Sequence, residues 1–185
     1  MTPTRPVQNP EAPGTQLYWF QADLRLEDNP GLLWHAGGNA LVCLYCLQDS
    51  PAWCNNSGMG HQRRRFLLES LAALQRQLES LGQTLLVIPG DPRSIIPRLV
   101  REYRIAGVGT SYTAGFYEAQ QRSFLQRKLQ VPFLLHPGNS LFDERQLPGG
   151  LARLPGHFAE FRRRLEGQPV APPVAAPLAL PWHLR

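Results

Sequence analysis

The sequence is poor in lysine, cysteine and long apolar runs, and each shortage excludes something. Of its 19 basic residues only Lys128 is lysine, so arginine carries the positive charge. Its three cysteines, Cys43, Cys46 and Cys54, are too few for a disulfide framework. Cys43 and Cys46 have the spacing of a redox or zinc pair, but they lie within the apolar run Leu41 to Leu47. In a strand, residues three apart point to opposite faces, and no second pair of zinc ligands is present, so these cysteines read as structural. No apolar run approaches the roughly 20 residues needed to cross a bilayer, which excludes membrane insertion. Met1 to Thr15 lacks the apolar segment of a secretory signal, and the protein is expected to be cytoplasmic. His35, His61, His136, His157 and His183 form no His-x-x-x-His pattern, and no Gly-x-Ser-x-Gly occurs, so neither a metal nor a nucleophile is indicated. Gly58 and Gly60 precede a helix but lack the third glycine of a dinucleotide fingerprint.

What is present describes one modest α/β domain. The 185 residues, 43% of them hydrophobic, suffice for a single good core. A net charge of +5 is compatible with a polyanion, but without a focused basic patch the expected contact with DNA is indirect or weak. Residues 1–16 carry four prolines and little apolar surface, and read as a mobile leader. Short apolar runs then recur at Leu17–Phe20, Leu41–Leu47, Thr84–Ile88, Ile105–Thr110 and Val131–His136, predicting five strands. Their near-continuous hydrophobicity suits a parallel sheet covered by helices on both faces.

The intervening segments read as helices. Over Gln62–Leu81 the residues Phe66, Leu67, Leu71, Leu74, Leu78 and Leu81 form a core stripe, with Gly82 as the stop. Asp91 is the expected cap of a helix over Arg93–Tyr103, and Phe116–Leu129 carries Phe116, Phe124, Leu125 and Leu129 on one side. Arg63, Arg64 and Arg65 fan around their helix as a solvated face. After Glu166, repeated prolines forbid helix and favour an extended polyproline tail or linker over 167–185.

Three motifs give these elements a family resemblance. Leu17-Tyr-Trp-Phe-Gln-Ala-Asp-Leu-Arg-Leu-Glu-Asp-Asn-Pro-Gly31 resembles the opening strand and loop of the photolyase/cryptochrome family, with Gln21 where that family usually has arginine. Gly58 to Leu71 and Leu154 to Glu166 are similar to segments typical of DASH-type cryptochromes. The resemblance covers residues 17–166, the α/β domain. It implies a doubly wound, Rossmann-like sheet of five parallel strands in the order 3-2-1-4-5, helices on both faces. Ligands of such sheets sit beyond the carboxyl ends of the strands at the switch point, where Gln21, Asp23, Arg25, Asp49, Ser111 and Tyr112 would line the crevice. By residue type alone, Asp23, Arg25, Asp28 and Asn29 are better read as loop and cap residues than as catalytic ones.

The same resemblance bears on cofactors. In folate-binding members a glutamate near the start of the helix after the fourth strand bonds the pterin edge, and Glu118 falls at that position, beside Tyr117. A carboxylate accepts two parallel hydrogen bonds from an amino-pyrimidinone edge. The implied antenna is therefore 5,10-methenyltetrahydrofolate, while Glu118 in a first turn also suits the helix dipole without any ligand. FAD, and the family's chain of electron-transferring tryptophans, belong to a helical domain outside these residues. The expectation is a stand-alone accessory module, for antenna binding or docking, that is not an enzyme on its own and is linked to blue-light DNA repair or photosensing. The alternatives are a truncated or split deoxyribodipyrimidine photolyase served by a separate FAD-domain protein, and a nucleotide-like ligand binder of the same fold.

Overall fold

The computed structural model describes residues 14–48, 59–142, 146–147 and 149–181. Its sheet is built from β1 (Thr15–Phe20), β2 (Ala40–Leu47), β3 (Leu85–Pro89), β4 (Ile105–Ser111) and β5 (Phe133–His136). All pairings are parallel, in the order β3-β2-β1-β4-β5. The connections carry α1 (Pro30–His35), α2 (His61–Ser80), α3 (Pro92–Glu102) and α4 (Phe116–Lys128), and α5 (Phe158–Leu165) follows the sheet. Each strand boundary lies within two residues of the sequence expectation.

Two cores lie on opposite sides of the sheet. On one, Leu17, Trp19, Val42 and Leu44 meet Ile95, Ile96 and Leu99 of α3 and Leu125 of α4. On the other, Tyr18, Phe20, Leu41 and Cys43 meet Leu32 of α1 and Leu71, Leu74 and Leu78 of α2. The alternation of Leu17, Trp19 with Tyr18, Phe20 is the strand period of two acting on a strand buried on both sides. It also separates Cys43 from Cys46, which belong to different cores. Burial pushes both thiols up to about 12.

The helix starts follow local chemistry. Asn29 accepts from the Leu32 N–H and caps α1, with Pro30 at its first position. Asp91 caps α3 by accepting from the Arg93 N–H, with Pro92 next. Gly82, at φ +73°, takes the left-handed turn that ends α2.

Two expectations about helix stripes need correction. Phe66 was expected in the core but is 72% exposed. A 20-residue helix rises about 30 Å, whereas a five-residue strand such as β3 spans only about 17 Å, so the first turns of α2 overhang the sheet. Phe116 (69% exposed) and Phe124 (36%) likewise lie outside the core that takes Leu125 and Leu129. A stripe of apolar residues identifies a face but not how far the covered surface extends.

The segment after α5 runs back along the domain as an extended strap. Val174 makes two hydrogen bonds with Asp28: its carbonyl accepts from the Asp28 N–H at 2.7 Å, and its own N–H donates to Oδ1 at 3.2 Å. Seven residues on, the Pro181 carbonyl accepts from Gln83 Nε2 at 2.8 Å. Val174, Pro177 and Leu180 are the half-buried residues between these pins, and Leu180 packs on the α2-side core. That spacing of three is the repeat of a polyproline helix, which presents one face every third residue.

Candidate functional site

At the carboxyl edge of the central strands, the loop after β1 folds over a buried hydrogen-bond network. The Asp23 carboxylate is 1% exposed, and it accepts from the Gln21 N–H (3.0 Å), Ser111 Oγ (2.7 Å), Asn29 Nδ2 (3.3 Å) and the Tyr18 hydroxyl (2.5 Å). Burial first, and then the Asp23 charge, raise the Tyr18 phenol well above its ordinary value. Asn29 links the network to the helix, since its Oδ1 caps α1 while its Nδ2 also donates to the Arg25 carbonyl at 3.1 Å. Arg25 reaches across to the Gly138 carbonyl after β5 and to the Asp28 carbonyl, with the Asp28 carboxylate at 3.8 Å. Gln21 Nε2 donates to Thr110 Oγ1, which in turn donates to the Trp19 carbonyl.

Of the expected crevice residues, Gln21, Asp23, Arg25 and Ser111 thus converge at one edge. Tyr112 adjoins them but turns outward, with the Arg122 guanidinium 4.9 Å from its ring centre. Arg122 is fixed by the Thr113 carbonyl and hydroxyl at 2.7 and 2.9 Å. Asp49 lies outside the described residues. Asp23 has spent its oxygens on the chain itself, so the groups left facing outward are amide, guanidinium and phenol.

Glu118 and Tyr117 stand on the first turn of α4. The Glu118 carboxylate folds back over the helix start, where a Cβ added to Gly115 would lie 1.9 Å from Oε2. The rings of Phe116 and Tyr117 meet edge to face at 5.6 Å, and both are exposed. A carboxylate acceptor beside exposed aromatic surface could hold a planar ring that carries an amino edge. Among the described residues, no group of three or more His, Cys, Asp or Glu could hold a metal, and no helix is long and apolar enough to cross a membrane.

Sequence reasoning missed one pair. His35 and His136, read as scattered, place their Nε2 atoms 3.1 Å apart beneath α1. His35 Nδ1 faces the Gln16 amide oxygen at 3.1 Å, so it carries the proton there, and His35 Nε2 accepts from His136. Burial pushes His35 down to about 3, helped by its partner, and pushes His136 down to about 4 against the pull of Asp23. The only sequence signal was the glycine spacing of β4, because Gly107 and Gly109 leave the room that Gln16 and His35 fill.

The topology and the switch-point loop define the class as a doubly wound α/β domain. The family follows from comparison. The DNA photolyase family model matches residues 16–178, and the chain belongs to that family. It is 36% identical over 155 residues to the Cryptochrome DASH of Idiomarina loihiensis, covering 81% of this chain and 34% of that one. Against the Cryptochrome DASH of Gloeobacter violaceus it is 37% identical over 175 residues, covering 90% and 35%. Among solved structures, a cryptochrome from Synechocystis superposes with a TM-score of 0.83 at 25% identity, covering 92% of this chain and 37% of that one. A class III photolyase from Agrobacterium tumefaciens gives 0.75 at 24% identity, covering 95% and 36%, and supports the fold. The chain therefore spans about a third of the length of the relatives it matches.

Proposed function

We propose that this chain is an accessory α/β module of the photolyase/cryptochrome type that binds an antenna chromophore, or docks a flavin-bearing partner, in blue-light DNA repair or photosensing. The observation that carries this reading is the surface after β4, where Glu118 shares the first turn of α4 with the exposed, mutually packed rings of Phe116 and Tyr117. An apolar face for a planar ring and a carboxylate for its amino edge are what 5,10-methenyltetrahydrofolate needs. The chromophore would supply near-ultraviolet absorption, and the chain's own residues would hold and orient it. On this reading the electron transfer of repair belongs to a flavin-bearing partner, and the module supplies binding and orientation.

The test is an absorption spectrum of the purified protein before and after incubation with methenyltetrahydrofolate and desalting, with Glu118→Gln beside it. Retained near-ultraviolet absorbance that weakens in the variant is the expected result. A protein that keeps no absorbance sinks the antenna half of the proposal.

A second reading, half of a split deoxyribodipyrimidine photolyase, is favoured by a specific feature. Phe66, Phe116 and Phe158 are each about 70% exposed or more, and apolar surface of this kind is commonly covered by a partner. Co-expression with a FAD domain from a family member, followed by co-purification, separates docking from antenna binding.

A further inference from the structure

Away from the switch point, α3 and α4 enclose an open groove with a volume of ≈ 460 Å³. Phe116, Gln120, Ser123, Phe124 and Arg127 line it from α4, and Arg93 from α3. Spacings of four, three and four bring Phe116, Gln120, Ser123 and Arg127 onto one stripe of the helix, about 16 Å from end to end. The volume falls within the range of small-ligand sites, and because the groove is open an occupant would keep one side in solvent.

The lining specifies the chemistry of an occupant. Phe116 offers an exposed ring face at one end, steadied edge-on by Tyr117. Arg127 stands at the other end, exposed, with no carboxylate among the described residues in ion-pair range. Arg93 forms the opposite wall, held by Asp91 through contacts of 2.6 and 2.8 Å. The surroundings are cationic, since Asp91 to Lys128 contains seven basic residues against three acids, a surplus of four within the chain's total of five. A purely apolar ligand would strand the amide of Gln120 and the hydroxyl of Ser123, whereas a bare anion would leave the Phe116 ring unused.

We propose that this groove binds a mononucleotide-like ligand, a planar heteroaromatic ring stacked on Phe116 joined to a phosphate held by Arg127, with Gln120 and Ser123 contacting the part between. Stacking on an aromatic face accepts any base, and an arginine fork matches phosphate oxygens, so the site reads shape and charge more than base identity. The groove shares Phe116 with the proposed antenna surface but does not use the carboxylate of Glu118.

The test is isothermal titration of the full chain with adenosine 5′-monophosphate, adenosine and inorganic phosphate. The nucleotide is expected to bind at least about tenfold more tightly than either half alone, as joined contacts do. Phe116→Ala and Arg127→Gln, both at exposed positions that leave the fold intact by circular dichroism, each weaken it about tenfold. Leu178→Ala, an exposed position outside the groove lining, leaves it unchanged. The proposal is overturned if the nucleotide fails to bind at millimolar concentration, if adenosine binds equally well, or if neither groove variant matters. A concentration-dependent dimer abolished by Phe116→Ala would assign the groove to a second copy of the chain, and that too overturns it.

Discussion

The Nε2 atoms of His35 and His136 meet at 3.1 Å inside the protein, 101 residues apart in sequence, and both rings are held neutral. The arrangement works only with one proton between them. Gln16 fixes the first tautomer from β1, and Gly109 of β4 leaves space for the ring. Trp34 packs against both histidines, at 4.5 and 5.7 Å between ring centres.

Acid should therefore weaken the fold before most carboxylates titrate. Both folded values lie below the unfolded value of 6.5, so the unfolded chain binds more protons between them. The stability these groups contribute is present above pH 6.5 and is lost as pH falls toward 4 and then 3. By pH 5 the loss is roughly 2 kcal/mol per histidine. Urea titrations at pH 7 and pH 5 measure it, and His136→Asn should remove about half of the difference. An unchanged pH dependence in that variant would mean that the pair does not govern the acid limb.

Gly109 is the position least able to accept a side chain. A Cβ there would sit 1.8 Å from His35 Nε2 and 2.5 Å from Cδ2, so the ring would have to move and break both its hydrogen bonds. Gly109→Ala is expected to cost about 3 kcal/mol, the upper end of overpacking. In a His35→Ala background the added methyl has space, and its cost should shrink to well under 1 kcal/mol, a coupling readable from a double-mutant cycle. Additive costs would place the strain elsewhere.

The elements so constrained were not equally legible in the sequence. Strands such as Leu41–Leu47 announce themselves because a strand buried on both sides needs unbroken apolar residues, and Asn29-Pro30 and Asp91-Pro92 carry their own capping chemistry. Strand order came from the opening motif, not from periodicity. What stayed hidden depends on distant partners. Tyr18 and Ser111 are 93 residues apart, and Arg25 and Gly138 are 113 apart, so no local window contains either pair. The exposed faces of Phe66 and Phe116 were hidden for a different reason, because burial ends where the sheet ends and the helix continues.

Tyr18 and Asp23 should respond unequally to removal. Tyr18→Phe keeps the ring in its core and leaves Asp23 its three other donors, so about 1 kcal/mol is expected. Asp23→Ala removes the shared acceptor of Ser111, Asn29, the Tyr18 hydroxyl and the Gln21 N–H at once, leaving the first three donors only their bonds to one another and to the Arg25 carbonyl, and about 3 kcal/mol or more is expected. The raised Tyr18 value adds a sign at high pH. Its contribution is complete below pH 10 and is lost as pH climbs toward the folded value, so Tyr18→Phe should flatten the alkaline limb. Equal losses from the two substitutions, measured by thermal melting at pH 7, would contradict an acid that organises the network.

The strap offers the sharpest contrast between neighbouring residues. Asp28, at φ +50°, adopts a left-handed conformation uncommon outside glycine and so turns its N–H toward the Val174 carbonyl. From that pin the chain advances in threes, setting Val174, Pro177 and Leu180 against the domain while Leu178 stands 98% exposed. Leu180→Ala removes apolar contact with the α2-side core and is expected to cost about 1 to 2 kcal/mol, or roughly 3 to 6 °C in Tm for a domain of this size. Leu178→Ala, two residues away and identical in chemistry, should change Tm by less than about 1 °C. Hydrogen exchange at the Asp28 amide should quicken in the first variant only, because loosening one end of the strap exposes the pin at the other. If both alanines leave Tm unchanged, the strap is a passenger on the surface rather than part of the folded unit.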